Sequence, residues 1–285
     1  MRHEILTANS SALAEGPLWH ADHGRVYWVD IVTGTLYAFD RSANKTHTLH
    51  QGDPIGGFTM QEKNNGLLLF QAKGAIMLLE PFRSVVLYDE LPGEGETRFN
   101  DVSADPRGRV FCGTMPTKDR LGRLYRLDTD RSIRTVLEDI GCSNGMGWSP
   151  DQKTMYYTDS GAKKIYAFDY DYDTGAIDGQ RTFYELKTGG VPDGMTVDSQ
   201  GNIWTAIWDG GCVIQLDPEG QEMQRIPLPA KKVTSPAFGG PDLTELYVTT
   251  AGGDQEDQGE GAGELLRLHD TGARGIPEFR SRIEV

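Results

Sequence analysis

Apolar and polar residues along this chain alternate in short bursts rather than at helical spacing. The strongest runs are "GRVYWVD", "NGLLLF", "GRVFCGT", "KTMYYTD", "GNIWTAI" and "TELYVTT". Most are rich in β-branched or aromatic residues and follow a cluster of Asp, Asn or Gly, the signature of a strand entered from a tight turn. Anchored on Tyr27, Leu68, Phe111, Tyr156, Trp204 and Tyr247, they recur at intervals of 41, 43, 45, 48 and 43 residues. That is the period of a four-stranded propeller blade, and no helical period competes with it.

Further strands fill out most repeats, a third such as "GTLYAFD" or "GRLYRLD" and a fourth such as "KTHTLH" or "IRTVLED". The sixth repeat lacks a fourth strand of its own, whereas "HEIL" at residues 3–6 precedes the first repeat without a partner. The pattern therefore predicts an all-β, six-bladed β-propeller of four-stranded antiparallel blades around a central channel. One domain spans residues 1–285, and the N-terminal strand closes the ring. The Gly-rich acidic stretch "AGGDQEDQGEGAG" is expected to be a long, mobile loop inside the sixth blade.

A propeller brings one position of every blade to the same end of its channel. Counting back 11 or 12 residues from each anchor gives Glu15, Gly56 or Gly57, Asn100, Asn144, Asp193 and Ser235, at the start of each innermost strand. Three of these carry an oxygen donor followed by glycine, in "AEGP", "SNGM" and "PDGM". Two carboxylates and an amide carbonyl, with no His or Cys in the set, suit a hard or borderline divalent cation that keeps positions open for water. The same side chains can also plug the channel by hydrogen bonding to one another without a metal. Gly16, Gly145 and Gly194 are read as letting the backbone bend. In the third blade, "TRFND" supplies Arg98 and Asn100 as planar donors and acceptors for a polar ligand, and Asp101 adds a carboxylate to the same rim.

Composition narrows the partners. A net charge of −14 and a pI near 4.8 disfavour nucleic acid and anionic membranes, and favour a cation or a small polar ligand. No protein partner is indicated. No run approaches the ~18 apolar residues of a membrane span, and the first residues lack a signal-peptide core, so a cytoplasmic protein is expected. Cys112, Cys142 and Cys212 are odd in number and widely spaced, which reads as reduced, mostly core residues. The six His residues show no motif spacing and no GxSxG elbow is present, which weakens serine-hydrolase and His-zinc readings. Most of the His residues are expected at the surface, with His20 and His23 at the opposite end of the channel from the donor ring.

Together "AEGPLW", "RFNDVSADPRGRVFCGTM", "SNGMGWSPD", "PDGMTVDSQGNIW" and "SPAFGGPDLTELYVTTA" resemble the senescence marker protein/gluconolactonase, or regucalcin-like, family over nearly the whole chain. The resemblance implies a six-bladed propeller with one divalent metal in its channel that hydrolyses a sugar lactone to the aldonic acid. It implies metal ligation by Glu15, Asn144 and Asp193, with Arg98 and Asn100 holding the substrate. The ion is left open among Ca²⁺, Mg²⁺, Mn²⁺, Fe²⁺ and Zn²⁺. Some members add an acidic substrate contact after the segment matching "GTM"; here "PTKDRLGRLY" is short, and Asp119 is the only candidate. Lactone opening needs an electrophile on the carbonyl oxygen and a deprotonated water, with Asp193 as the first choice of base and Asp101 as the alternative. Two other readings stay open: another ester or a phosphotriester hydrolysed at the same metal, and a non-enzymatic calcium-binding propeller.

Overall fold

A computed structural model describes residues 2–8, 10–63, 65–253 and 258–285. It contains six four-stranded antiparallel sheets. Their innermost strands are Ala14–His20, Ile55–Met60, Phe99–Ala104, Ser143–Trp148, Val191–Val197 and Val233–Gly239, packed side by side around the channel. A blade cannot bury both of its faces alone, so the core lies between neighbouring blades. Tyr27, Val29 and Leu36 of the first blade, for example, meet Phe58, Leu67 and Leu69 of the second. The outermost strands, such as Lys45–Gln51 and Glu222–Pro227, face solvent and are accordingly polar. Among the described residues the one helix is the three-residue turn Ala21–His23, and no helix is long and apolar enough to cross a membrane.

The ring closes as the pattern predicts. Arg2–Ile5 pairs antiparallel with the third strand of the sixth blade, in register from Arg2 opposite His269 to Ile5 opposite Leu266. The closing strand is mostly exposed, so the backbone ladder holds it, aided by Arg267 Nη2 donating to Glu4 Oε2 at 2.6 Å. The Gly-rich stretch joins Glu245–Thr250 to Leu265–His269 within that blade. Its residues 254–257, on which the expected mobility falls, lie outside the described residues.

Two features go beyond the sequence reading. His20 is buried, at 2% exposure, and its ring stacks on that of His23 with 3.8 Å between centroids. Burial pushes its pKa down to about 4, so the imidazole is neutral near pH 7. The second is the C-terminal segment, in which no strand pattern is visible. Residues 274–285 run across the end of the channel opposite the donor ring. Ser199 N–H bonds to the Arg274 carbonyl and Gly275 N–H to Leu243, in the fifth and sixth blades. Ser281 N–H then bonds to Met60 in the second blade, and Arg282 N–H to Gly108 in the third.

This segment lines one side of a cavity of about 80 Å³ inside the channel, room for several waters. Asp101, Ser103, Thr196, Ser235 and Glu278 are among its lining residues. Glu278 is half-buried where it meets this space, and burial raises its pKa from 4.5 to about 7. The folded chain therefore holds this proton more tightly than the unfolded one. The associated stability is full below about pH 4.5 and is lost as pH rises through about 7. Glu278→Gln removes the ionisation cost and is expected to raise the melting temperature at pH 8 but not at pH 4. The gain corresponds to at most about 3 kcal/mol. Thermal unfolding at the two pH values checks this, and an equal effect at both would show that the carboxylate is solvated or neutralised in the cavity.

Candidate metal centre

The donor ring is built on β-bulges. In every blade the register between the innermost strand and its neighbour slips at the ring position. The slips fall between Glu15 and Leu18, Ile55 and Gly57, and Asn100 and Val102 in the first three blades. They fall between Ser143 and Met146, Pro192 and Met195, and Val233 and Ser235 in the last three. A bulge takes residues out of the ladder and re-aims their side chains. Asn144 and Asp193 both fall inside their slips, and Asp101 sits in its own with φ of 44°, a left-handed conformation that few non-glycine residues adopt. The Asn-Gly and Asp-Gly pairs thus mark bulges rather than hairpin tips.

Two of the three glycines have a different role from the one expected. Gly16 does take a positive φ, 58°, but Gly145 and Gly194 do not. A Cβ on Gly145 would lie 2.5 Å from the Met195 nitrogen and 2.8 Å from the Asp193 oxygen, and one on Gly194 would overlap Ser235. These glycines allow adjacent innermost strands to come into backbone contact, which sets the spacing between donors. Gly56 is the same case, since a Cβ there would overlap the Phe99 carbonyl, so the second blade contributes no side chain to the ring.

Glu15 and Asp193 are each 4% exposed, and Asn100 and Asn144 are buried beside them. Burial raises the Glu15 pKa well above the carboxylate range, and repulsion from Asp193 and then Asp101 adds to the shift. Asp193 is likewise raised well above its ordinary value, by burial first and by Asp101 second. Asp101 is pushed up to about 7 by burial, opposed by the Arg98 guanidinium. Among the described residues no ion pair reaches any of these three carboxylates.

A directional chain of hydrogen bonds joins the remaining members. Arg98 Nη1 donates to the Phe99 carbonyl at 2.9 Å and to Asn100 Oδ1 at 2.7 Å. Asn100 Nδ2 donates to the Ser143 carbonyl at 2.6 Å and to Asn144 Oδ1 at 3.1 Å. Asn144 Nδ2 donates to Ser160 Oγ at 2.8 Å, and Ser160 Oγ donates to the Pro192 carbonyl at 2.5 Å.

The sequence-derived residues Glu15, Arg98, Asn100, Asp101, Asn144 and Asp193 therefore gather at one end of the channel. Asp119 does not join them: it is exposed, and its N–H bonds to Thr117 Oγ1 at 3.2 Å. Cys112 and Cys212 are buried as expected, whereas Cys142 lies half-buried at the site with its Sγ 3.7 Å from Met115 Sδ. Burial, with Asp193 second, pushes its thiol up to about 12, so it stays protonated. Ser160 was not visible as a site residue, because only the apposition of two blades gives it a role.

Among the described residues no three His, Cys, Asp or Glu side chains gather to hold a metal, and the donor set expected from the sequence counts the Asn144 amide as its third member. The residues present fit such an ion. Two buried carboxylates without an ion-pair partner create a need for positive charge, and all-oxygen donors match a hard divalent cation.

The fold and this buried oxygen-donor ring define a class: six-bladed propellers with a polar ligand site at one mouth of the channel. Residues 13–252 match the SMP-30/Gluconolactonase/LRE-like region family, and the chain belongs to it. It is 46% identical over 288 residues to Pentonolactonase XacC of Haloferax volcanii, with 97% of each chain covered. Among solved structures it is similar to a luciferin-regenerating enzyme, at 28% identity, TM-score 0.92 and 99% coverage of both chains. It is also similar to the calcium-binding protein regucalcin of Agrobacterium tumefaciens, at 25% identity and TM-score 0.89, covering 98% of this chain and 97% of that one.

Gly145→Ala tests the strand contact. The added methyl is expected to push the fourth and fifth blades apart, at a cost of about 1–3 kcal/mol, and to weaken divalent-ion binding as Asn144 and Asp193 separate. Denaturant unfolding and calorimetric titration check the two effects, and an unchanged protein would show that the blades can shift freely.

Proposed function

We propose that this chain is a lactonase that opens a sugar lactone to the aldonic acid at a divalent metal held by Glu15, Asn144 and Asp193. The observation that carries the reading is the convergence, in one buried channel mouth, of two carboxylates without ion-pair partners, an amide oxygen and the Arg98–Asn100 arm. The family and the pentonolactonase relative support the reaction class. The calcium-binding relative, together with the oxygen-only donors, makes calcium the first ion to test.

When bound, the ion supplies Lewis-acid polarisation of the lactone carbonyl and a lowered pKa for a coordinated water. The chain supplies orientation and proton transfer. Arg98, fixed through Nη1 by the Phe99 carbonyl and Asn100, turns its remaining N–H donors toward the lactone oxygens and hydroxyls. Asn100 holds that arm to the ring and leaves its own amide committed to Asn144. Asp193 accepts the proton of the attacking water. Asp101 lines the cavity beneath the ring, which favours Asp193 over it as the base. Three protein donors leave coordination positions for water and substrate, which favours catalysis over a purely structural ion.

Chelator-stripped protein, resupplied with one divalent ion at a time, is to be assayed by proton release at constant pH on pentono- and hexonolactones. Metal-dependent hydrolysis is expected. Asp193→Ala and Asn144→Ala are each expected to lower the rate at least about 100-fold with the fold retained. Full activity in metal-free buffer would refute the metal's role, and no hydrolysis with any ion would refute the reaction class.

A further inference from the structure

We propose that Ser160 is a positioning residue that fixes the amide of Asn144 with its oxygen available to the metal, and that ties this donor to the strand carrying Asp193. The inference presupposes the metal held by Glu15, Asn144 and Asp193. An asparagine amide can sit in either of two orientations, and only one directs a ligating oxygen into the channel. Here the orientation is forced from both ends of the hydrogen-bond chain. At one end Arg98 can only donate, so Asn100 must turn Oδ1 toward it and Nδ2 toward Asn144. At the other end the Pro192 carbonyl can only accept, so the single proton of Ser160 goes to it. Ser160 then faces Asn144 with a lone pair and selects its Nδ2. The two constraints agree: Asn144 Oδ1 accepts one hydrogen bond from Asn100 and keeps a second lone pair free.

Ser160 is 5% exposed, so no bulk water stands in when its hydroxyl is removed. It follows the second strand of the fourth blade, Thr154–Asp159, whereas its acceptor Pro192 belongs to the fifth and directly precedes Asp193. One hydroxyl therefore sets the rotation of one donor and restrains the backbone of another. Partners of this kind around metal ligands govern affinity without touching the metal.

The test uses the full chain stripped with chelator, titrated calorimetrically with Ca²⁺, Mn²⁺ and Zn²⁺ separately, with thermal unfolding in chelator as the measure of the fold. Ser160→Ala and Ser160→Cys, which lose the hydroxyl, are expected to bind each ion that the unsubstituted protein binds about 10–100-fold more weakly. Their melting temperatures in chelator should fall much less than this loss implies. Ser160→Thr, which keeps the hydroxyl, is expected to recover most of the affinity. Whichever of the Ala and Cys variants folds, an affinity equal to that of the unsubstituted protein overturns the inference. Failure of the unsubstituted protein to bind any of the ions overturns the metal reading itself, a result seen in a different arm of the same titration.

Discussion

Two carboxylates of like charge, buried at the head of the channel without an ion-pair partner, set the terms for everything around them. Moving an ionised acid out of water is costly, and placing a second beside it raises the cost. The structure meets this in Glu15 and Asp193 by holding both above the ordinary carboxylate range. Arg98 offsets the charge only in part, because its Nη1 is bonded to Asn100 and the Phe99 carbonyl rather than to a carboxylate. The remaining need is for a small, concentrated positive charge that can reach both oxygen sites at once. The divalent cation proposed above would meet that need.

Such a ring stays together only if the blades cannot relax away from it. Glycines at the ring bring neighbouring strands into backbone contact, and the interblade clusters hold them there from outside. The two chain ends complete the restraint in different ways. The N-terminal strand closes the ring by pairing within the sixth blade, and the C-terminal segment spans the far mouth by backbone hydrogen bonds to four blades. The far mouth is thereby covered over a small cavity lined by both polar and apolar residues.

The architecture was legible in the sequence because every blade solves the same burial problem, so Tyr27, Leu68, Phe111, Tyr156, Trp204 and Tyr247 repeat at nearly constant spacing. The ring positions were legible for the same reason, since equivalent residues of a closed repeat must converge. What stayed hidden depends on apposition rather than on pattern. Gly145 looks like a flexible turn residue until Met195 is seen against it. Ser160 looks like part of a loop until Pro192 comes within 2.5 Å. The segment from Gly275 onward follows neither alternation nor repeat, because it binds along the ends of strands instead of within a sheet. Cys112 and Cys212 are core residues as read, whereas which of the three cysteines would lie at the rim was not legible, because burial and a position at the rim look alike in composition.

The choice of an amide at Asn144 follows from these constraints. A third carboxylate there would supply a stronger donor to a cation, but it would also add like charge to a site where Glu15, Asp101 and Asp193 already repel one another. It would disturb the hydrogen-bond chain as well. A carboxylate has no proton to give Ser160, whose hydroxyl would then be drawn toward it and away from the Pro192 carbonyl, leaving that carbonyl buried without its donor. A neutral residue that accepts on one side and donates on the other satisfies Asn100, Ser160 and a cation together. Asparagine does so in this space, where glutamine would carry the amide one carbon too far.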